Sequence, residues 1–380
     1  MVTFGKIIVD FNSGPQIVAP PGAPETEFRV TDLSTGKIED EGLIRSDPVK
    51  WTLRIISRKY FVPWRVELWN AFSQSFRHDF DAGGKTVLID LSPGALGDSV
   101  AWMPAVDAFR KKWACNVICA MRPPHIGLYQ DAYPEIRFIT PGERSTLKAA
   151  DTYARYTLAV WGYEESRFHE LIDFRRNNLQ LHADQILGVD SHALPPRIAG
   201  NPRRPDRPTV CIATRASRKC KEWNNPGAWE AVTQALLRRG YRVVCIDADS
   251  RNLPPSADDL TGTIPLLERA ELLKGAALFI GLPSGLSWLA WACGVPVVMI
   301  AGFTDVVRPE APFLRYPEFD TPYRVSPPPG VCRNCWMDCD QRERKRFDEC
   351  YRYKNNECTR SITPEMVLEA CDRALLDRKG

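Results

Sequence analysis

Thr86-Val87-Leu88-Ile89-Asp90-Leu91 runs straight into Ser92-Pro93-Gly94-Ala95-Leu96-Gly97-Asp98-Ser99, and a helical pattern follows through Phe109. A short, nearly unbroken apolar run that ends in a glycine-containing loop reads as a strand buried on both faces, inside a parallel sheet covered by helices. The next apolar run, Val117-Ile118-Cys119, completes a β-loop-α-β unit. That unit predicts an α/β fold. From Pro208 the pattern starts again. Strands are predicted at Thr209–Ala213, Tyr241–Ile246, Ala277–Ile280 and Pro296–Ile300. Helices alternate with them: one opened by Asn225 as N-cap with Pro226 at the first helical position and closed by Gly240, one over Pro265–Lys274, one over Leu286–Cys293. Two α/β halves facing a cleft are expected, with ligands at the C-terminal ends of the strands.

Working outward, residues 1–80 read as β-structure. Gly5–Val9, Glu27–Thr31, Trp51–Ile55 and Trp64–Leu68 are strand-like, and Ser34–Lys37 is a turn. A small N-terminal β-domain suited to docking or oligomerisation follows from this. The first α/β half spans 81–205, with helices expected to dominate from about 125, and the second spans 206–328. Residues 329–362 are cysteine-rich, and 363–380 form a final helix capped by Thr363-Pro364.

The 380 residues are 44% hydrophobic and 26% charged, an ordinary globular composition with room for more than one core. A net charge of +3 is too small to argue for nucleic acid, and the basic run Arg342–Arg346 reads as a solvated loop. No run approaches the roughly 18 to 20 apolar residues of a membrane helix. The first residues lack a signal-peptide core, so a cytoplasmic location is expected, where thiols stay reduced. Twelve cysteines in that setting argue for metal ligands and buried thiols. Cys332, Cys335, Cys339, Cys350 and Cys358 follow C-x2-C-x3-C-x10-C-x7-C. Four thiolates from such a segment make a closed tetrahedral site for zinc or iron, and ligand type alone does not choose between them. Among the rest, Cys119, Cys211, Cys245, Cys293 and Cys371 read as buried, and Cys115 and Cys220 as more exposed.

Three loops carry chemistry. In the first, glycines Gly94 and Gly97 let backbone approach a ligand, and Asp98 lies where the helix starts. Its carboxylate reads either as a helix cap or as a general base. The second, Thr214 to Pro226, is basic and polar, and Lys221 beside a helix N-terminus suits a diphosphate; a solvated charged loop is the plain reading. The third, Gly281 to Trp288, offers the free amides of a helix start, with Thr261-Gly262 as a nearby turn that could face a ribose or base. An ordinary strand-helix connection is the plain alternative. A dinucleotide fingerprint is absent, since the third glycine and distal acid are missing.

The motifs Gly94-Ala95-Leu96-Gly97-Asp98-Ser99-Val100-Ala101-Trp102-Met103-Pro104, Lys221-Glu222-Trp223-Asn224-Asn225-Pro226 and Ser284-Gly285-Leu286-Ser287-Trp288-Leu289-Ala290-Trp291 resemble those of the bacterial autotransporter heptosyltransferases. Thr321–Val325 leads into the cysteine cluster as it does there, and Glu357–Ile362 closes it in the same manner. The resemblance covers nearly the whole chain. It implies a GT-B architecture of two Rossmann-like domains, with an N-terminal β-domain and a C-terminal cysteine-rich metal knot. It implies transfer of heptose from ADP-heptose to serine hydroxyls of an autotransporter adhesin, an iron site (Fe3+, one per chain), and a large ring-like homo-oligomer. Asp98 would be the base and Lys221 the diphosphate contact. Gly94, Ala95, Leu96, Gly97, Thr214, Thr261, Gly262 and the loop Ser284, Gly285, Leu286, Ser287 would line the donor. Cys332, Cys335, Cys350 and Cys358 would bind the metal. Pro283 stands where lipopolysaccharide-core relatives usually carry an acid, so no magnesium contact is implied there.

The chemistry expected is an inverting displacement at the anomeric carbon, with one base and a stabilised leaving ADP. The rivals are a heptosyltransferase acting on lipopolysaccharide core, a non-catalytic metal-bound scaffold, and an NAD-dependent α/β protein.

Overall fold

The computed structural model describes all residues except 46–49, 56–59, 72–74, 161–176, 306–317, 339–349, 351, 353 and 379–380. In chain order the strands are β1 (Val2–Phe4), β2 (Ile7–Asn12), β3 (Gln16–Ala19), β4 (Thr26–Asp32), β5 (Lys37–Ile44), β6 (Trp51–Arg54), β7 (Trp64–Asn70), β8 (Ser75–Asp79), β9 (Thr86–Asp90), β10 (Asn116–Ala120), β11 (Ile136–Ile139) and β12 (Ala154–Thr157). They continue with β13 (Thr209–Ile212), β14 (Arg242–Cys245), β15 (Asp258–Asp259), β16 (Leu278–Gly281), β17 (Val297–Ile300) and β18 (Arg324–Val325). The α-helices are α1 (Leu96–Trp113), α2 (Pro123–Ile126), α3 (Pro141–Thr146), α4 (Leu179–Leu187), α5 (Ala228–Arg238), α6 (Leu266–Gly275), α7 (Gly285–Ala292), α8 (Glu357–Arg360) and α9 (Pro364–Asp377).

Among the described residues the strands form three sheets. The second half is a six-stranded parallel sheet, β15-β14-β13-β16-β17-β18. β13, β16 and β17 are buried at every position, as the continuous apolar runs predict. The first half is a larger mixed sheet with the path β11-β10-β9-β12-β2-β3-β6, and β1 hairpins onto β2. Its β11, β10, β9, β12 and β2 run parallel.

This sheet corrects the expectation of a separate β-domain over residues 1–80. β2 pairs in parallel with β12, so β1, β2, β3 and β6 extend the first α/β half. The reason is burial on both faces of β2: Ile7, Val9 and Phe11 are buried on one, and Asp10 and Asn12 on the other. The remaining four strands make a true separate sheet, β5-β4-β7-β8, all antiparallel, with β4, β7 and β8 alternating in burial. Its edge strand β5 exposes Ile38 and Leu43.

Residues 125–205 also differ from expectation. The described part holds the parallel strands β11 and β12 as well as helices, and 161–176 lie outside the described residues. α5 begins at Ala228, not at Pro226. Gly227 at φ +73° is its N-cap, because the Asn225 side chain is already spent on the Ile362 carbonyl at 3.0 Å. Its apolar face is buried as predicted, through Trp229, Val232 and Leu236. α9 is capped as predicted, with Thr363 Oγ1 accepting the Met366 N–H at 3.4 Å.

The two halves touch directly. A Cβ on Gly97, in the first turn of α1, would lie 2.9 Å from Trp288 Cδ1; one on Gly285, which opens α7, would lie 2.8 Å from Leu96 Cβ and 3.0 Å from the Gly97 nitrogen. Only glycine permits this approach. The N-termini of α1 and α7 therefore meet across the seam.

Candidate active site

Asp98 is the third residue of α1, and Ala95 is the N-cap. Asp98 Oδ2 accepts the Ala95 N–H at 2.7 Å, so it does the capping work of the plain reading. That bond uses one oxygen, which leaves the other for chemistry. Burial raises the Asp98 pKa above the ordinary aspartate value, against the Ala95 N–H and the positive charges of Lys221 and Arg122, which lower it. Lys221, predicted on the other half, is thus within electrostatic reach of the carboxylate. Arg122 donates to the Ser92 carbonyl at 3.2 Å and the Pro93 carbonyl at 3.3 Å, bracing the loop from below.

A cavity of about 380 Å³ lies beside this seam. Ala95 and Leu96 line it from one half, and Ser284, Gly285 and Leu286 from the other. Five predicted residues therefore converge. Ser284 is the N-cap of α7 but caps nothing; its hydroxyl is buried with no partner among the described residues. A buried hydroxyl on a cavity wall with no protein partner is open to a water or a ligand. Lys221 ends a short 3-10 turn, and its Nζ lies 3.5 Å from the Pro283 carbonyl and 5.6 Å from the Phe303 ring centroid.

Of the other predicted residues, Gly94, Gly97, Asp98 and Lys221 stand at the seam without lining this cavity, and Thr214, Ser287, Thr261 and Gly262 are off its wall as well. Thr214 is buried, and its N–H and hydroxyl donate to Asp247 Oδ2 at 2.6 and 3.1 Å. Ser287 is buried and donates to the Leu282 carbonyl, holding the loop. Thr261 and Gly262 form the expected turn but lie off the cavity wall, with the Thr261 N–H on Asp259 at 2.8 Å and the Gly262 N–H on the Asp247 carbonyl at 3.1 Å.

Two charged residues on the wall escaped sequence reasoning. Asp247, just past β14, gathers the Thr214 and Arg215 amides on one oxygen. Its pKa is raised, by burial before all else. Arg269, buried on α6, donates to the Ile246 and Gly262 carbonyls and keeps an unpartnered Nε among the described residues. The usable signal was position, an acid two residues beyond a strand end. A second cavity of about 400 Å³ adjoins the first through Arg215, Ala216 and Ser217 and is edged by Arg218, Lys219 and Arg251.

The cysteine segment lies behind the Lys221 loop. Cys335 is pushed up to about 12 by burial, with Cys332, Cys358 and Cys350 raising it further and Arg352 opposing. The four thiols are therefore neighbours. Cys350 Sγ accepts the Lys354 N–H at 3.1 Å, and Arg352 lies 3.7 Å from Cys332 Sγ. In chemistry this all-sulfur set fits iron or zinc. Among the described residues no three His, Cys, Asp or Glu side chains form a metal-binding group. Cys339 lies outside the described residues. Cys115 and Cys220 correct the sequence reading: both are buried, Cys220 against Phe303 and Cys335.

Comparison with known proteins settles the lineage. Residues 150–313 match the family model for glycosyltransferase family 9 (heptosyltransferase). The autotransporter heptosyltransferase TibC of Escherichia coli O78:H11 is 35% identical over 95% of this chain and 88% of its own. The chain belongs to the autotransporter heptosyltransferases. A crystal structure of TibC, an iron-containing dodecameric glycosyltransferase, matches with a TM-score of 0.83 at 33% identity, over 98% of this chain and 96% of that one. A second, of TibC with ADP-D-beta-D-heptose, matches with a TM-score of 0.82 at 34% identity over the same shares. BimC of Burkholderia thailandensis, 34% identical over 94% of this chain and 83% of its own, is an inactive autotransporter heptosyltransferase. The fold is thus the α/β fold of GT-B-like heptosyltransferases, and the chain is a glycosyltransferase of the heptosyl-transferring class. Among the described residues no helix is long and apolar enough to cross a membrane.

Proposed function

We propose that this chain moves heptose from ADP-heptose to serine hydroxyls of an autotransporter passenger by inverting displacement, with Asp98 as the base. The observation that carries the reading is the seam itself: a buried carboxylate and Lys221 stand where the N-termini of α1 and α7 meet. The remaining steps follow from charge. Burial makes Asp98 a stronger base than a solvated aspartate, matched to taking the hydroxyl proton as the new C–O bond forms. The leaving ADP gains negative charge as the anomeric bond breaks. Two helix N-termini, the Lys221 ammonium and the Ser284 hydroxyl, unpartnered among the described residues, supply positive charge and hydrogen-bond donors for it. Adding a proton to a diphosphate is unnecessary, so one acid-base residue suffices.

Cys332, Cys335, Cys350 and Cys358 would hold one iron per chain, with zinc as the other candidate. A closed four-sulfur site contributes folding and leaves no open position for substrate, so it takes no part in proton transfer. TibC, iron-containing and dodecameric, supports both the metal and a large homo-oligomer for this chain. A cytoplasmic site of action fits a nucleotide-sugar donor and reduced thiols.

A second reading, a nucleotide-binding scaffold without turnover, draws on the inactive relative BimC. Against it stands the second carboxylate oxygen of Asp98, which the cap does not use. Titration calorimetry with ADP-heptose, ADP, UDP, GDP and NAD tests the donor. Selective binding of ADP and ADP-heptose is expected. Preference for UDP, GDP or NAD overturns the donor, and binding of none of them overturns the transferase.

A further inference from the structure

The loop that carries Lys221 is fastened to the cysteine segment, and one side chain makes the connection. Asn224 Nδ2 donates one N–H to the Glu222 carbonyl at 2.6 Å, with the Lys219 carbonyl 3.2 Å away, and these two carbonyls flank Lys221. The same Nδ2 reaches Thr359 Oγ1 at 3.0 Å, and the Asn224 N–H reaches that oxygen at 3.4 Å. Thr359 is fully buried and directly follows Cys358. Its hydroxyl donates to the Asn356 carbonyl at 3.4 Å. One donor and two accepted bonds exhaust what a hydroxyl can do, so Thr359 is committed to this junction. On either side, Trp223 Nε1 and Asn225 Nδ2 both donate to the Ile362 carbonyl, at 2.9 and 3.0 Å. Behind the loop, Gly302 presses on Cys358 so closely that a Cβ would lie 2.9 Å from the Cys358 Cβ.

We infer that Asn224 and Thr359 are a positioning pair that aims Lys221 at the donor diphosphate and makes donor affinity depend on the cysteine segment. Both act through the Lys221 backbone and have no contact of their own with the cavity, so they are positioning residues. The inference rests on reading Lys221 as the diphosphate contact. A lysine ammonium is a point charge on a flexible stem, so its aim depends on how well its backbone is fixed. That backbone is a single 3-10 turn, Lys219–Lys221, with weak hydrogen bonds of its own. The Asn224 amide adds a side-chain bond to the turn's own two backbone bonds, and Thr359 anchors the amide.

Four variants of the full chain test this: Thr359→Val, Thr359→Ser, Asn224→Ala and the Thr359→Val/Asn224→Ala double. ADP affinity is read by calorimetry, with melting temperature and metal content measured alongside; Lys221→Ala and wild type are the references. Thr359→Val and Asn224→Ala should each weaken ADP binding about tenfold, a factor equivalent to losing roughly one hydrogen bond. Thr359→Ser, which keeps the hydroxyl, should bind like wild type. The double variant should bind no more weakly than Asn224→Ala, because both changes remove one contact. Wild-type affinity in Thr359→Val overturns the inference, as does equal weakening by Val and Ser, or additive losses in the double. If Thr359→Val does not fold, Asn224→Ala, on a half-buried loop, carries the test alone. Wild-type protein that binds ADP unchanged by Lys221→Ala overturns the underlying reading of Lys221 instead.

Discussion

Asp98 serves as both a cap and a candidate base, and its two oxygens divide the work. Oδ2 is held by the Ala95 N–H, so Asp98→Asn preserves the shape of the loop while removing the proton acceptor. Transfer should fall by about 10² to 10⁴-fold, the usual worth of a positioned base. Stability moves the other way. The folded pKa of Asp98 lies above its unfolded value, so ionising it costs folding energy that grows as pH rises through that window. At neutral pH, Asp98→Asn should therefore melt no lower than wild type, which a thermal scan checks. The wild-type rate should fall as pH drops through the raised Asp98 pKa, with an acid limb above the ordinary aspartate value of about 3.9. A limb at or below that value would contradict desolvation of the carboxylate. Among single residues, the sequence exposed Asp98, Lys221 and Ser284 because each follows a strand in a recognisable loop. Asp247 and Arg269 stayed hidden. A charged residue within a helix reads as solvated, and nothing local reveals that Arg269 folds under the cavity.

At the scale of elements, the strand-loop-helix units were legible because buried parallel strands are continuous apolar runs bounded by glycine. Boundaries moved where tertiary contacts took a side chain, as at Asn225 and α5. The two-residue strands β15 and β18 carry no periodicity to detect. The seam between α1 and α7 was not legible either, since sequence names Gly97 and Gly285 but not their contact. Gly285→Ala tests it. The new methyl meets Leu96 Cβ and the Gly97 nitrogen, so the halves must part or the chain strain. A loss of about 1 to 3 kcal/mol is expected, the range for overpacking, together with weaker ADP binding. Calorimetry and thermal melting read both. Unchanged values would mean that the seam is loose.

For the whole molecule, the sequence announced two α/β halves and a cysteine segment, but it misplaced the N-terminal strands. Local alternation cannot say that β2 pairs with β12, more than 140 residues away. The cysteine segment is tied to the second half through the buried Asp305–Arg333 pair at 3.1 Å and through Thr359. Metal there should therefore matter beyond its own loop. Cys→Ser at 332, 335, 350 or 358 should each abolish bound metal and weaken ADP, whereas Cys339→Ser should retain both. Elemental analysis and calorimetry check this, and protein purified anaerobically without iron or zinc would contradict the metal site.

The central claim is transfer to a protein hydroxyl with Asp98 as the base. Its most direct test is intact-mass spectrometry of an autotransporter passenger incubated with ADP-heptose and either wild-type or Asp98→Asn enzyme. The account predicts a ladder of heptose additions on serine with wild type and almost none with the variant. An unmodified passenger with both enzymes, or the same ladder with both, would contradict it.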